Sequence, residues 1–336
     1  MKFRKFASEH ANIRTSLVLS GGGAKGAYQV GAIKSFLEND ICFDLIVGSS
    51  IGAMNGALLA EFILQGMNNK EIYQRLRGFW LGLNNILTFN WWGFIKNILT
   101  PVRIPSIYTN VVLRKILNQY IPDCRSFSDY TKCQLSLTGT NLNKKKLKYF
   151  DFNSTAPVID ALLASMSYPV AFPAVKINND FYIDGGALSN APLKEAILWG
   201  SKDVYVVFLQ PLSIIEGEIS EGDKEYLSAI ELIEEFIELA SNQLMYGDLE
   251  DVKKINGLIN LINKYQYSLP KSFLKEIREL FDLRFKDKKK YIRIHEIAPD
   301  KVLDPPGLKG FCDAKGIEGI MKKGEEDTMN FFAKKV

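Results

Sequence analysis

Residues 43–60 read FDLIVGSSIGAMNGALLA, and the order of residue types in this stretch decides the fold. An apolar, strand-like run ends at Gly48, and a segment of helical composition begins at Ile51. Between them Ser50 is bracketed two residues away on each side by Gly48 and Gly52. A serine raised on a tight strand-to-helix turn sits in a strained backbone conformation. A Cβ at either glycine then collides with the neighbouring strand or helix. This geometry exposes the Ser50 hydroxyl at the positive end of a helix and leaves the Ile51 amide placed to stabilise an oxyanion. A plain Gly/Ser turn has the same five residues, so the flanking segments must decide.

Upstream, TSLVL at 15–19 reads as a buried strand. Ser20-Gly21-Gly22-Gly23-Ala24-Lys25-Gly26 and the helical run AYQVGAIKSFLEND follow. A glycine-rich loop between strand and helix presents several backbone N–H groups to an anion. Gly21, Gly23 and Gly26 also satisfy G-x-G-x-x-G, but a dinucleotide site expects an acidic residue closing the second strand. Asp44 opens that strand instead, and the strand closes in the serine turn. A phosphate-binding P-loop fails as well, because Lys25 precedes Gly26 rather than following it before Ser or Thr. A structural glycine loop stays compatible; an anion hole serving Ser50 fits better.

Downstream, residues 178–193 read NNDFYIDGGALSNAPL: a turn, a short strand, then Asp184 followed directly by Gly185 and Gly186. A carboxylate at a strand end, with glycines that let another backbone or a substrate approach, is placed for chemistry. Asp-Gly is equally a turn signal when taken alone.

Together these segments resemble the patatin-like phospholipases. The resemblance rests on SGGGAKG (20–26), GSSIG (48–52), ASMSYPVAFPAV (164–175) and DGG (184–186), in the family's order across roughly the first 210 residues. It implies a three-layer α/β/α fold with a mostly parallel, mixed central sheet, helices on both faces and a helical, aromatic cap. It implies Ser50 as nucleophile and Asp184 as its partner in a Ser–Asp dyad, with Gly21, Gly22 and Gly23 as the oxyanion loop. Lys25 matches the family's basic loop position, whereas Ser20 stands where many members carry aspartate. Lys25, Gly26, Gly48, Gly52, Gly185 and Gly186 support the motifs. The implied activity is hydrolysis of glycerolipid acyl esters, of phospholipase A or lysophospholipase type. A transacylase, a general esterase, or a lipid-binding module with vestigial catalytic residues are the alternatives.

Composition agrees with a soluble enzyme. The 336 residues are 47% hydrophobic, enough to bury a large core, and the net charge of +4 is too weak to argue for nucleic acid. A mild positive charge suits a peripheral contact with a membrane surface. The first 16 residues carry no apolar core of a signal peptide, no apolar run reaches membrane-spanning length, and Cys42, Cys124, Cys133 and Cys312 lack metal or redox spacing. The expectation is a cytoplasmic protein with reduced, buried thiols, needing neither cofactor nor metal.

The pattern reads as a single domain over 1–336. Its catalytic core spans about 14–212, with a cap-like segment at 66–127, a helical elaboration at 213–290, and a C-terminal strand and helix at 291–336 returning to the core. Strand signals at 15–19, 43–48, 133–140, 180–184 and 203–209 alternate with helical stretches. The 133–153 segment reads as a strand, a charged turn and another strand. Residues 213–224 read as a linker, followed by an amphipathic helix expected to face the core through Leu227, Ile230, Ile233, Phe236, Ile237, Ala240 and Leu244. Residues 78–108 hold Phe79, Trp80, Phe89, Trp91, Trp92 and Phe94, with Lys96 and Arg103 among them. They read as a mobile cap touching lipid or as core packing. Of the two histidines, His10 lies in the leader, and His295 sits mid-strand in YIRIHEI, an awkward place for a triad base.

Overall fold

The structure is a computed structural model. It describes residues 13–87, 110–169, 171–217, 229–265, 291–304 and 309–334, with isolated positions between 268 and 276. In chain order the elements are β1 (Thr15–Leu19), α1 (Ala27–Glu38), β2 (Leu45–Gly48), α2 (Ile51–Leu64), α3 (Asn69–Leu87) and α4 (Asn110–Leu117). Then come β3 (Gln134–Asn141), β4 (Lys146–Phe150), α5 (Val158–Ser165), β5 (Val175–Ile177), β6 (Asp180–Asp184) and α6 (Leu193–Leu198). The remainder is β7 (Asp203–Val207), α7 (Leu212–Ile215), α8 (Ala229–Tyr265), β8 (Arg293–Ile297) and α9 (Ala314–Ala333).

One mixed sheet runs in the order β5-β6-β3-β2-β1-β7-β8, with β4 also paired to β3. Strands β3, β2, β1, β7 and β8 are parallel, whereas β4 and β6 run antiparallel to β3. Residues of one strand alternate between the two faces of a sheet, and the burial follows that period. Leu17, Leu19, Ile46 and Val207 pack into a core shared with α1, α2, α3, α5 and α9. Val18, Leu45, Val47, Val204 and Val206 face the opposite layer, against α6, α7 and α8. Strands buried on both faces read as continuous apolar runs, which is why TSLVL and LIV were legible. β5, three residues long and containing Lys176, carries no such signal.

Helices α1 and α9 touch backbone to backbone at two glycines. A Cβ on Gly31 would lie 1.8 Å from the Met321 carbonyl oxygen, and one on Gly324 would lie 2.0 Å from that of Tyr28. Beside the crossing, the Tyr28 hydroxyl donates to Asp327 (2.9 Å) and the Lys34 ammonium to Glu325 (2.5 Å).

Two expectations need correction. The apolar face expected at the start of α8 packs only in part: Phe236 is 70% exposed and Ala240 is exposed, while Ile237 and Leu244 are half-buried. The helix runs 37 residues, and Met245, Leu249 and Val252 further along make the core contact instead. Leu227 lies outside the described residues, as do the side chains of Ile230 and Ile233. Cys42 and Cys124 are exposed in loops, and of the described cysteine side chains only Cys133 is buried; the side chain of Cys312 lies outside the described set.

Gly31→Ala tests the helix crossing. Alanine is intrinsically better in a helix by about 1 kcal/mol, but main-chain atoms cannot rotate away from the new methyl as a side chain would. The clash wins, with a net loss of about 2 kcal/mol read from the urea midpoint; an unchanged or higher midpoint contradicts the close approach.

Candidate active site

β2 ends at Gly48, and the chain then reverses within two residues. The Ser49 amide donates to the Leu19 carbonyl at the end of β1 (3.2 Å), and α2 starts at Ile51. Ser50, at the N-cap, has φ 53° and ψ −124°, a conformation that costs a non-glycine residue on the order of 1–3 kcal/mol. A Cβ on Gly48 would sit 2.5 Å from the Gly52 carbonyl oxygen, and one on Gly52 would sit 2.2 Å from that of Leu19. Both glycines are therefore required by backbone contact. The Ser50 amide, unusable by strand or helix in this conformation, donates to Ser165 Oγ at the end of α5 (3.1 Å).

Asp184 reaches the same point from the other direction. It closes β6 opposite Gly139 of β3, while Gly48 closes β2 opposite Leu137. The two strands thus end two residues apart along one rail. The Thr138 hydroxyl donates to the Gly48 carbonyl (3.4 Å) and the Thr140 hydroxyl to the Asp184 carbonyl (2.9 Å). The Ser50 hydroxyl donates to Asp184 Oδ2 at 2.5 Å, and the Gly186 amide donates to Oδ1 at 2.7 Å. Asp184 is 3% exposed. Burial lifts its pKa from 3.8 to about 7, and the hydrogen bonds from Ser50 and Gly186 oppose that rise without cancelling it. Gly185 is compelled by Thr138, whose Oγ1 would lie 1.9 Å from a Cβ there.

The glycine loop lies against Ser50: a Cβ on Gly21 would be 3.0 Å from the Ser50 Cβ and 2.3 Å from Asn190 Oδ1. Gly21 donates its amide to the Asn190 carbonyl (3.1 Å), so it has no N–H to offer an oxyanion. The amides of Gly22, Gly23 and Ile51 donate to no group among the described residues. Gly23 has φ 58°, a left-handed conformation natural to glycine.

Beneath the loop runs a buried polar chain. Trp80 Nε1 donates to Asn55 Oδ1 (2.8 Å). Asn55 Nδ2 donates to the Gly26 carbonyl and to Gln29 Oε1 (2.9 Å each), and Gln29 Nε2 donates to the Ser20 carbonyl (2.7 Å). Ser20, where family members often carry aspartate, turns its hydroxyl to the Val207 carbonyl (3.1 Å). Lys25 is 3% exposed and pairs with Glu238 of α8 at 2.8 Å; Gln210 also donates to Glu238. Trp80 and Phe79 are thus core residues rather than parts of a cap, while Phe89, Trp91, Trp92, Phe94, Lys96 and Arg103 lie outside the described residues.

His295 belongs elsewhere. It stacks on Tyr205 (4.3 Å between ring centroids) and its Nε2 is 3.0 Å from Asp203 Oδ1. β8 lies three strand spacings from β2 in the sheet, roughly 14 Å. Reading the sequence missed Asn190 and Ser165. Asn190 follows DGG in the same loop, and Ser165 lies inside the 164–175 motif, but neither residue type is distinctive without its three-dimensional neighbours.

Among known proteins, a family model described as patatin-like phospholipase matches residues 17–197, more than half of the chain. The lysophospholipase NTE1 of Meyerozyma guilliermondii is 27% identical over 207 residues, covering 61% of this chain and 13% of its own length. The probable lipid hydrolase 463L of Invertebrate iridescent virus 6 is 28% identical over 196 residues, covering 56% and 64%. The chain thus spans less than two thirds of either relative. Among solved structures, VipD of Legionella pneumophila aligns with a TM-score of 0.45 at 13% identity, covering 96% of this chain and 67% of that one. Full-length ExoU of Pseudomonas aeruginosa, in complex with SpcU, gives 0.33 at 17% identity, covering 81% and 59%. The glycine loop, the serine turn and the DGG turn all fall inside the matched span, and this chain belongs to the patatin-like phospholipase family.

Proposed function

We propose that the protein is a lipid acyl hydrolase that cleaves carboxylic esters of glycerolipids through Ser50 and Asp184. The observation that carries this reading is the 2.5 Å hydrogen bond between the Ser50 hydroxyl and a carboxylate withdrawn from water. Ser50 Oγ attacks the ester carbonyl carbon as Asp184 takes its proton. Asp184 returns that proton to the departing alcohol, leaving an acyl-enzyme, and then activates the water that releases the fatty acid. An ordinary aspartate, with a pKa near 3.9, is a weak base; one lifted to about 7 is matched to neutral solution. The amides of Gly22, Gly23 and Ile51 receive the oxyanion, each donor supplying about 3 kcal/mol to the transition state. Lipid substrates follow from the family and from the names its relatives carry.

A peripheral membrane contact fits this reading. No helix among the described residues is long and apolar enough to cross a membrane. Leu232, Phe236 and Leu239, spaced to share one helical face, point outward from α8, whose Glu238 reaches the glycine loop.

Fluorophosphonate labelling with phospholipid hydrolysis in parallel tests the chemistry. Ser50→Ala loses both, Asp184→Asn loses hydrolysis by about 10³-fold or more, and His295→Ala keeps most of it. Activity lost with His295 and retained in Asp184→Asn overturns the dyad.

The pH profile follows from the raised carboxyl. The proton-accepting form is lost as pH falls, so kcat/KM drops below an acid limb near pH 7. A limb near pH 4 contradicts the buried base.

The same shift acts on stability. A carboxyl whose pKa rises on folding stabilises most below about pH 4, and that contribution is lost as pH rises to 7. Asp184→Asn, neutral throughout, gains stability relative to the parent as pH rises from 4 to 7, by up to about 4 kcal/mol, and the difference stays flat above. Thermal melts across that range read the difference; a gap independent of pH contradicts it.

A further inference from the structure

The 164–175 motif has no part in the chemistry so far, yet its first turn touches both reacting residues. Ser165, the last residue of α5, is fully buried and accepts the Ser50 amide on its Oγ (3.1 Å). Two residues on, the Ser167 carbonyl accepts the Asp184 amide (3.0 Å). The turn between them is fixed by its own bonds. Met166 donates to the Leu162 carbonyl, Ser167 donates its amide to Ala164, and the Ser167 hydroxyl donates to Leu163 (2.7 Å). From this geometry we infer that Ser165 is a positioning residue for the reaction, and that the α5 terminus is the gauge that sets the separation of Ser50 from Asp184.

The reasoning is geometric. Ser50 holds a conformation with φ 53° that places its amide beyond both the β2 ladder and the α2 helix. Without Ser165 Oγ, that amide has no protein acceptor among the described residues, and the elbow loses the bond that ties it to α5 and opposes its relaxation. Relaxation lengthens the bond from Ser50 to Asp184. Because that bond holds the carboxyl pKa down against burial, its loss moves the pKa further up. A defect of packing alone lowers stability without moving that titration.

This inference rests on the dyad proposed above, so the parent protein is labelled and assayed beside Ser165→Ala and Ser165→Thr. Loss of the acceptor is expected to lower kcat by about tenfold to a hundredfold with KM nearly unchanged, the cost of a misplaced nucleophile. The acid limb moves to higher pH, and Ser165→Thr, which retains a hydroxyl, restores both. Should Ser165→Ala fail to fold, Ser165→Cys keeps the side-chain shape at slightly greater volume with a weak acceptor, and the same two changes are read from it. An active parent with an unmoved kcat and acid limb in the folded Ala or Cys variant overturns the positioning role alone. A parent that takes no label at Ser50 and hydrolyses nothing removes the dyad, and this inference with it.

Discussion

The structure is organised around one contact, a half-buried hydroxyl held 2.5 Å from a carboxyl that is itself buried. The two residues are separated by 134 positions in the chain, and neither would keep its place alone. Ser50 occupies a strained conformation and Asp184 an environment that disfavours its charge. Both penalties are met by the sheet. β3 receives the ends of β2 and β6 from opposite directions, and Thr138 and Thr140, on one face of that strand, bind the carbonyl at each end.

This convergence explains why glycine is dense around the site. Gly48, Gly52 and Gly185 each face backbone or a buried side chain at distances no Cβ tolerates. The glycine loop is held from below by Gln29, Asn55 and Trp80, a fully buried chain in which each polar group has a partner. Such a network rigidifies the amides that would face an oxyanion, so they need little reorganisation when charge develops. From outside, Lys25 ties the loop to α8 through Glu238.

The parts of the fold legible in the sequence are those where local chemistry has one solution. TSLVL and LIV are buried on both faces and can be little other than interior strands, and a serine between Gly48 and Gly52 implies a sharp turn. The parts that escaped depend on distant partners. Phe236 and the residues around it have the spacing of a core-facing stripe, but a helix as long as α8 finds its core contact further along. Trp80 reads equally as an interfacial or a core aromatic until Asn55 is seen accepting its N–H. Gly21 belongs to the oxyanion motif by position, yet its amide is already spent on Asn190. Ser165 and Asn190 are ordinary residues whose roles exist only once three loops meet.

The most direct test of the account is the structure of the protein after reaction with a fluorophosphonate, an adduct that imitates the tetrahedral intermediate. The account predicts phosphorus on Ser50 Oγ, its oxygen within hydrogen-bond distance of the Gly22, Gly23 and Ile51 amides, and the Asp184 carboxyl still beside the serine oxygen. An adduct on another residue, or an oxygen turned away from those amides, contradicts it.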